Sequence, residues 1–342
     1  MGESMLSEES CADTGWLLCI AAGCSKATLY GHINEAVPAE IAERFFSYIN
    51  RRKGCEPVQY IAGSWSFMGL DFTVNGDVLI PRADTECLVE TVIRAAKEQF
   101  HEKLNATGTV DAKVAVSADS VMAAPSEMSK DSANSVNSIN STGSIDSGYS
   151  SDSANVFDGI CMNLKADIPA DVPLRILDLC TGSGCIAISL AHFLPTTRIT
   201  ASDISSSALA VAIKNAKALG VEHRITFIEE DLFSAEHVLG APFDILCMNP
   251  PYISSGDIST LMPDVRNFEP LGALDGGADG LDFYRRVIAD LPVYTHPGSF
   301  VAMEVGIGQA DMVRCMLIGQ GCRSVHIVND LAGIERVVCA FV

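Results

Sequence analysis

Four consecutive residues, Asn249-Pro250-Pro251-Tyr252, follow an apolar stretch, Asp244–Met248, that reads as a buried strand. Two prolines there fix the backbone and remove N–H donors, leaving nearby carbonyls facing outward as acceptors. The Asn249 side-chain carbonyl and the Pro250 carbonyl can then accept both protons of a planar –NH2 group, while Tyr252 stacks on its flat face. An amide or amino nitrogen is a poor nucleophile because its lone pair is delocalised. Hydrogen bonds to both N–H groups raise electron density on nitrogen and aim it, so preorganised acceptors stand in for a strong base. The plainer reading is a Pro-Pro turn, which is common; an Asn-Pro-Pro-Tyr in this strand context is not.

A second constellation lies upstream. In Ile176-Leu177-Asp178-Leu179-Cys180-Thr181-Gly182-Ser183-Gly184-Cys185 a buried strand runs into a turn of small residues, and a helix opens after it. Gly182 and Gly184 allow a ligand close to the backbone, and the helix start offers free N–H groups. Taken alone, the turn is equally a way of packing a strand against a helix. Asp203 ends the next strand some twenty residues past the glycines, the position from which a carboxylate accepts ribose hydroxyls. One strand further, Glu230-Asp231-Leu232-Phe233 places polar and apolar groups where an adenine edge and face would lie. The phosphate-binding pattern GxxxxGK[ST] does not occur, which disfavours ATP.

The elements that must position these residues alternate. Strands are expected at Leu174–Leu179, Arg198–Ala201, Arg224–Ile228, Asp244–Met248, Ser299–Glu304, Ser324–Val328 and Arg336–Phe341, and helices at Cys185–Phe193, Ser206–Leu219, Leu281–Asp290 and Gln309–Ile318. This order implies an α/β fold with a mainly parallel sheet covered on both faces. Residues 1–58 read as a small helical domain, one helix starting at Pro38-Ala39-Glu40 and followed by Gly54. Residues 59–76 read as a hairpin connector around Met68-Gly69, and residues 77–342 as the main domain. An insertion is expected at about 101–170, where a serine falls at every third position from Ser126 to Ser150. Large apolar residues are sparse there, so the segment cannot bury enough surface to offset its ordering entropy.

Composition narrows the classes. Hydrophobic residues make up 48% and charged residues 19% of 342, enough for a substantial core. No apolar run nears the ~18 residues that span a bilayer; Trp16–Cys24 is about half that. With no secretory or basic presequence pattern at the N-terminus, a cytoplasmic protein is expected. The twelve cysteines form no CxxC pair and are scattered, several within apolar runs (Cys19, Cys180, Cys185, Cys247, Cys339), which favours small thiols in the core over disulfides or a metal site. A net charge of −20 repels phosphate backbones and favours a basic partner, such as a ribosome-associated protein.

With these residues in hand, the chain resembles the HemK/PrmC family of release factor glutamine N5-methyltransferases. The likeness runs through Glu56-Pro57-Val58-Gln59-Tyr60-Ile61-Ala62-Gly63, Ile80-Pro81-Arg82-Ala83-Asp84-Thr85-Glu86, the Asp178–Gly184 turn, Asp203 and Asn249–Tyr252. It continues in Phe268-Glu269-Pro270, Asp275-Gly276-Gly277-Ala278-Asp279-Gly280, Glu304-Val305-Gly306 and Asp330–Arg336. The resemblance implies a seven-stranded, Rossmann-like S-adenosylmethionine-dependent methyltransferase domain, with a small helical N-terminal domain and a hairpin between them. It implies that Cys180, Thr181, Gly182, Ser183, Gly184, Asp203, Leu232 and Asn249 hold S-adenosylmethionine. It implies further that Asn249, Pro250, Pro251 and Tyr252 hold the substrate, the glutamine of the Gly-Gly-Gln loop of peptide chain release factors. Two departures stand out: Cys180 occupies a usual glycine position, and the region before Pro57 is short.

Two other readings use the same active-site loop. One is glutamine methylation of a ribosomal protein. The other, N-methylation of an exocyclic amino group in nucleic acid, calls for a basic groove or an added recognition domain, against which the acidic balance counts.

Overall fold

A computed structural model of the chain describes residues 11–32, 34–107, 173–232 and 242–342. The serine-rich tract lies outside the described residues. Its expected start at about 101 is too early, because a helix continues from Asp84 to Thr107.

Seven strands form one sheet: β3 (Arg175–Leu179), β4 (Arg198–Asp203), β5 (Ile225–Glu229), β6 (Phe243–Met248), β7 (Thr295–Glu304), β8 (Arg323–Asn329) and β9 (Glu335–Phe341). Their spatial order is β5-β4-β3-β6-β7-β9-β8. The first five are mutually parallel, and β9 is antiparallel to both its neighbours. The strand order reverses between β3 and β6, and the crevice beyond the carboxyl ends of the strands at such a reversal is where open α/β sheets bind ligands. The glycine turn follows β3, Asp203 closes β4, and Asn249 follows β6.

Each face of the sheet carries its own apolar layer. On one side α5 (Asp84–Thr107) and α6 (Cys185–Phe193) pack with the hairpin strands β1 (Ser64–Phe67) and β2 (Leu70–Thr73). Leu88, Val89, Val92 and Ile93 recur at helical spacing on α5 and are fully buried, each worth ~1.5–3 kcal/mol relative to exposure. After the short α8 (Pro263–Phe268), the other face is covered by α9 (Asp282–Tyr294) and α10 (Ala310–Gly319), through Tyr284, Val287, Leu291, Val313 and Leu317. On the first side, joining that layer through Ala216, α7 (Ser206–Ala218) begins at Ser205, whose hydroxyl caps the Ala208 N–H.

Two N-terminal helices, α1 (Cys11–Ala22) and α3 (Ala39–Lys53), gather around Leu17, Phe45, Ile49 and Ile61, and α2 (Lys26–Gly31) between them in sequence buries no residue. Tyr60–Ala62, expected as part of the hairpin, instead close a short helix, α4 (Val58–Ala62), which ends on Gly63 in the left-handed conformation. The hairpin turns at Met68 (φ 52°) and Gly69 (φ 71°), the positive-φ pair that matches strand twist in a two-residue turn.

Candidate active site

One sequence stretch ties the hairpin to the catalytic edge. Within Ile80–Glu86, the Arg82 guanidinium bonds buried Glu269 at 2.5 Å. Thr85 Oγ1 accepts a hydrogen bond from Asn249 Nδ2 at 3.1 Å. Glu86 Oε1 accepts the Met68 N–H of the hairpin turn at 2.7 Å. Three anchors at and just before the start of α5 therefore fix three parts of the chain around the Asn-Pro-Pro-Tyr loop.

The Asn249 amide is oriented by its donors. Its –NH2 group donates to the Thr85 hydroxyl at 3.1 Å. The carbonyl oxygen of the same side chain is thereby left as the acceptor. Pro250 and Pro251 are buried, and the Pro250 carbonyl takes no hydrogen bond from the described residues. Tyr252 is half-buried, and burial, with Glu304 nearby, raises its phenol pKa well above the ordinary value.

Glycines let backbone close around this loop. A Cβ on Gly276 would stand 2.7 Å from the Pro251 carbonyl oxygen, and one on Gly280 2.2 Å from that of Tyr252. The Ile253 N–H donates to Leu274 O, and the Gly276 N–H to Ile253 O. Gln309 Nε2 donates to the Tyr252 carbonyl at 2.9 Å, while its Oε1 accepts the Gly306 N–H. Through these bonds the Asp275–Gly280 segment acts as a brace for the loop.

The glycine turn is equally determined. Cys180, Gly182 and Gly184 have φ of 58°, 54° and 80°. Buried Asp178 accepts the Thr181 hydroxyl at 2.6 Å, and desolvation raises its pKa to about 7. Asp203 Oδ2 accepts the Gly182 N–H at 2.8 Å and Oδ1 the Ser205 N–H at 2.9 Å. Burial raises the Asp203 pKa, and those N–H groups counter it. Asn215 on α7 bonds both the Ser183 carbonyl and Thr73 of the hairpin. Leu232 is buried, with φ 58°. Asp231 is engaged with Arg286 at 3.0 Å, and Glu230 donates its N–H to Asp203 O.

The fold thus sets the residues singled out from the sequence along one edge of the sheet. Leu232 follows β5, Asp203 closes β4, Cys180–Gly184 follow β3 and Asn249–Tyr252 follow β6. These groups fit S-adenosylmethionine: a half-buried carboxylate for hydroxyls, an apolar side chain for a flat base, and Gly182, where even a Cβ would meet nothing within 4 Å. Carboxylates at Asp178, Asp203 and Glu304 also suit a cationic sulfonium.

Sequence reasoning assigned no role to Thr85, Glu304, Gln309 or Asn215. Glu304 carries a signal, because a lone acid closing the apolar run Phe300–Met303 demands a partner. Thr85 carries none by itself, as its partner lies 164 positions away.

Residues 3–63 match the PrmC N-terminal domain family, and residues 150–263 the Methyltransferase small domain family. The release factor glutamine methyltransferase of Geobacter sulfurreducens is 32% identical over 97% of this chain and 89% of its own. That of Clostridium acetobutylicum is 33% identical over 87% and 79% respectively. That of Moorella thermoacetica is 32% identical over 96% and 88%. With an Asn-Pro-Pro-Tyr loop braced as described and this similarity over nearly its whole length, the chain belongs to the release factor glutamine methyltransferase family.

Proposed function

We propose that the protein transfers a methyl group from S-adenosylmethionine to the N5 side-chain amide nitrogen of the glutamine in the Gly-Gly-Gln motif of peptide chain release factors, in the cytoplasm. The observation that carries this reading is the orientation of Asn249. With its –NH2 group turned to Thr85, its Oδ1 is the natural acceptor for one proton of a substrate –NH2. The Pro250 carbonyl accepts the other proton, and Tyr252 offers its ring to the planar face. Both acceptors are held in place before substrate arrives, which polarises the amide nitrogen and fixes its direction.

Gly182, Ser183 and Gly184, with Cys180 and Thr181, present backbone to the methyl donor, Asp203 receives ribose hydroxyls, and Leu232 packs on the base. When bound, S-adenosylmethionine supplies an electrophilic methyl group on a sulfonium.

The test is methyl uptake from labelled S-adenosylmethionine in separate incubations with release factors, ribosomal proteins, DNA and RNA. Label in release factors alone is the expected result. Label only in a ribosomal protein or in nucleic acid overturns the substrate assignment while leaving the methyltransferase chemistry standing.

A further inference from the structure

At the edge of the sheet opposite the Asn-Pro-Pro-Tyr loop, the chain gathers positive charge. Arg175 opens β3 and Arg198 opens β4, and the two pair directly across the strands. Ile199 pairs with Ile225, so Arg224, the last residue of the single 3-10 turn Glu222–Arg224, comes in beside Arg198. Like charges set opposite one another in a sheet are destabilising, and here three stand at the starts of three neighbouring strands. The chain has 43 Asp and Glu against 23 Lys and Arg, so acids to neutralise them are plentiful. Yet none of the three arginines forms an ion pair among the described residues.

Their partners are neutral. Arg198 Nη1 donates to the His223 carbonyl at 3.4 Å and Arg224 Nη1 to the Leu194 carbonyl at 3.1 Å, while the Arg175 guanidinium lies 5.5 Å from the centre of the Phe243 ring. Asp244, the carboxylate beside Phe243, is engaged by the Arg175 backbone N–H at 2.8 Å and by His296 Nε2 at 3.2 Å. Burial, and then the Arg198 charge, lower the Arg224 pKa, as expected of a guanidinium that faces another without a counter-ion.

The three arginines surround a cavity of about 440 Å³, whose wall also includes His223, Thr200 and Thr226. Small-molecule sites span ~300–1,000 Å³. Thr200 and Thr226 pair across β4 and β5, so hydroxyls and guanidinium forks, all able to donate, converge on one space. Among the described residues no carboxylate lines it. We propose that this cavity is a second binding site, for a small phosphate-bearing molecule whose oxygens take the place of the missing acids. A carboxylate carries one charge and leaves the remaining guanidinium groups unpaired; a phosphate monoester carries nearly two and presents three acceptor oxygens to the forks. A nucleic-acid strand needs a long basic track, and the net charge of −20 repels one.

Arg198 opens β4 and Asp203 closes it, so about 16 Å of strand, from the rise per residue, separates this cavity from the edge assigned to S-adenosylmethionine. The two sites bind independently of each other in space, and the cavity residues take no part in methyl transfer.

The experiment uses the full-length protein without a methyl acceptor. Thermal melts are recorded with inorganic phosphate, pyrophosphate and uridine monophosphate, each against sodium chloride of matched ionic strength; the uridine ester avoids an adenine that could enter the cofactor site. At least one of the three should raise the melting temperature saturably, by ~3 °C or more near saturation. A larger effect of the ester than of inorganic phosphate identifies a phosphorylated metabolite as the ligand, and equal effects identify the free anion. Arg198→Gln and Arg224→Gln should each weaken the apparent affinity by ~10-fold or more, as for loss of a charged hydrogen-bond donor. Without ligand, both variants should melt no lower than the wild type, because each removes a like-charge neighbour. Arg198→Lys, which keeps the charge and loses the fork, serves where a glutamine variant does not fold, and it too should bind more weakly. No stabilisation beyond matched chloride by any of the three probes, or equal stabilisation of wild type and variants, overturns the proposal. So does binding of a short single-stranded RNA where the small phosphates fail.

Discussion

The Gly182 N–H donates to Asp203 Oδ2 at 2.8 Å, so the carboxylate assigned to the ribose hydroxyls also ties the glycine turn to the end of β4. A carboxylate oxygen has two lone pairs, and one bond to a backbone N–H leaves capacity for a hydroxyl. Asp203→Ala should therefore weaken S-adenosylmethionine binding by ~1.5–3 kcal/mol, the range for hydrogen bonds to a charged group. Asp203→Asn, which keeps one acceptor oxygen, should fall between the two. Titration calorimetry makes the measurement, and unchanged affinity in a folded Asp203→Ala variant removes this residue from the cofactor site.

Cys180 offers a sign test of backbone strain. Its φ of 58° lies in the left-handed region, which costs an L-residue roughly 1–2 kcal/mol and glycine almost nothing. Cys180→Ala and Cys180→Gly lose similar side-chain contact with the neighbouring apolar layer. The glycine variant should nonetheless be the more stable by about 1 kcal/mol, opposite to the usual order in regular structure. Denaturant midpoints with alanine above glycine would show that the turn is not strained at this position.

The brace around Tyr252 predicts a contrast between two glycines. Gly280 and Gly298 both have positive φ, but a Cβ on Gly280 would meet the Tyr252 carbonyl at 2.2 Å, while one on Gly298 would meet nothing within 4 Å. Gly298→Ala should cost only conformational strain. Gly280→Ala should cost ~1–3 kcal/mol more, the range for overpacking, and should depress methyl transfer by displacing the loop. Equal melting temperatures and rates for the two variants would contradict the brace.

Stability should fall as pH rises toward neutrality. Burial raises Asp178 and Glu304 to about 7, and it raises Asp203 and Glu269 as well. Between the ordinary carboxylate range and the raised values, the folded state holds protons that the unfolded state has lost. The contribution of these groups is full below the unfolded values and is lost as pH climbs through the folded ones. Denaturant unfolding as a function of pH measures this, and Asp178→Asn, which cannot ionise, should flatten the slope. An unaltered slope in that variant would exclude Asp178 as a source.

Much of this was legible in the sequence because the signals are local. The helix Cys185–Phe193 is bounded by its glycine turn, and the central strands β3 and β6 show as apolar runs because they are buried on both faces. Where the reading fell short, the information was not local. Helix α4 has five residues, too few for periodicity to show. Strand β7 begins at Thr295, ahead of its expected start at Ser299, since His296-Pro297-Gly298 reads as a turn until the Gly298 N–H finds the carbonyl of Val342. The bond from Asn249 to Thr85 joins two distant stretches, so each partner is unremarkable in the sequence until the sheet brings them together.

The central claim is that Asn249 presents its carbonyl oxygen to a glutamine amide. Its most direct test is mass-spectrometric mapping of a release factor after a single turnover at saturating S-adenosylmethionine, with wild-type protein and with Asn249→Ala. The account predicts one methyl group on the glutamine of the Gly-Gly-Gln loop with wild-type protein, and a rate lower by ~10²-fold or more with Asn249→Ala, as for the loss of one preorganised polar group. A near wild-type rate for Asn249→Ala, or a methyl group mapped to any other residue, would contradict it.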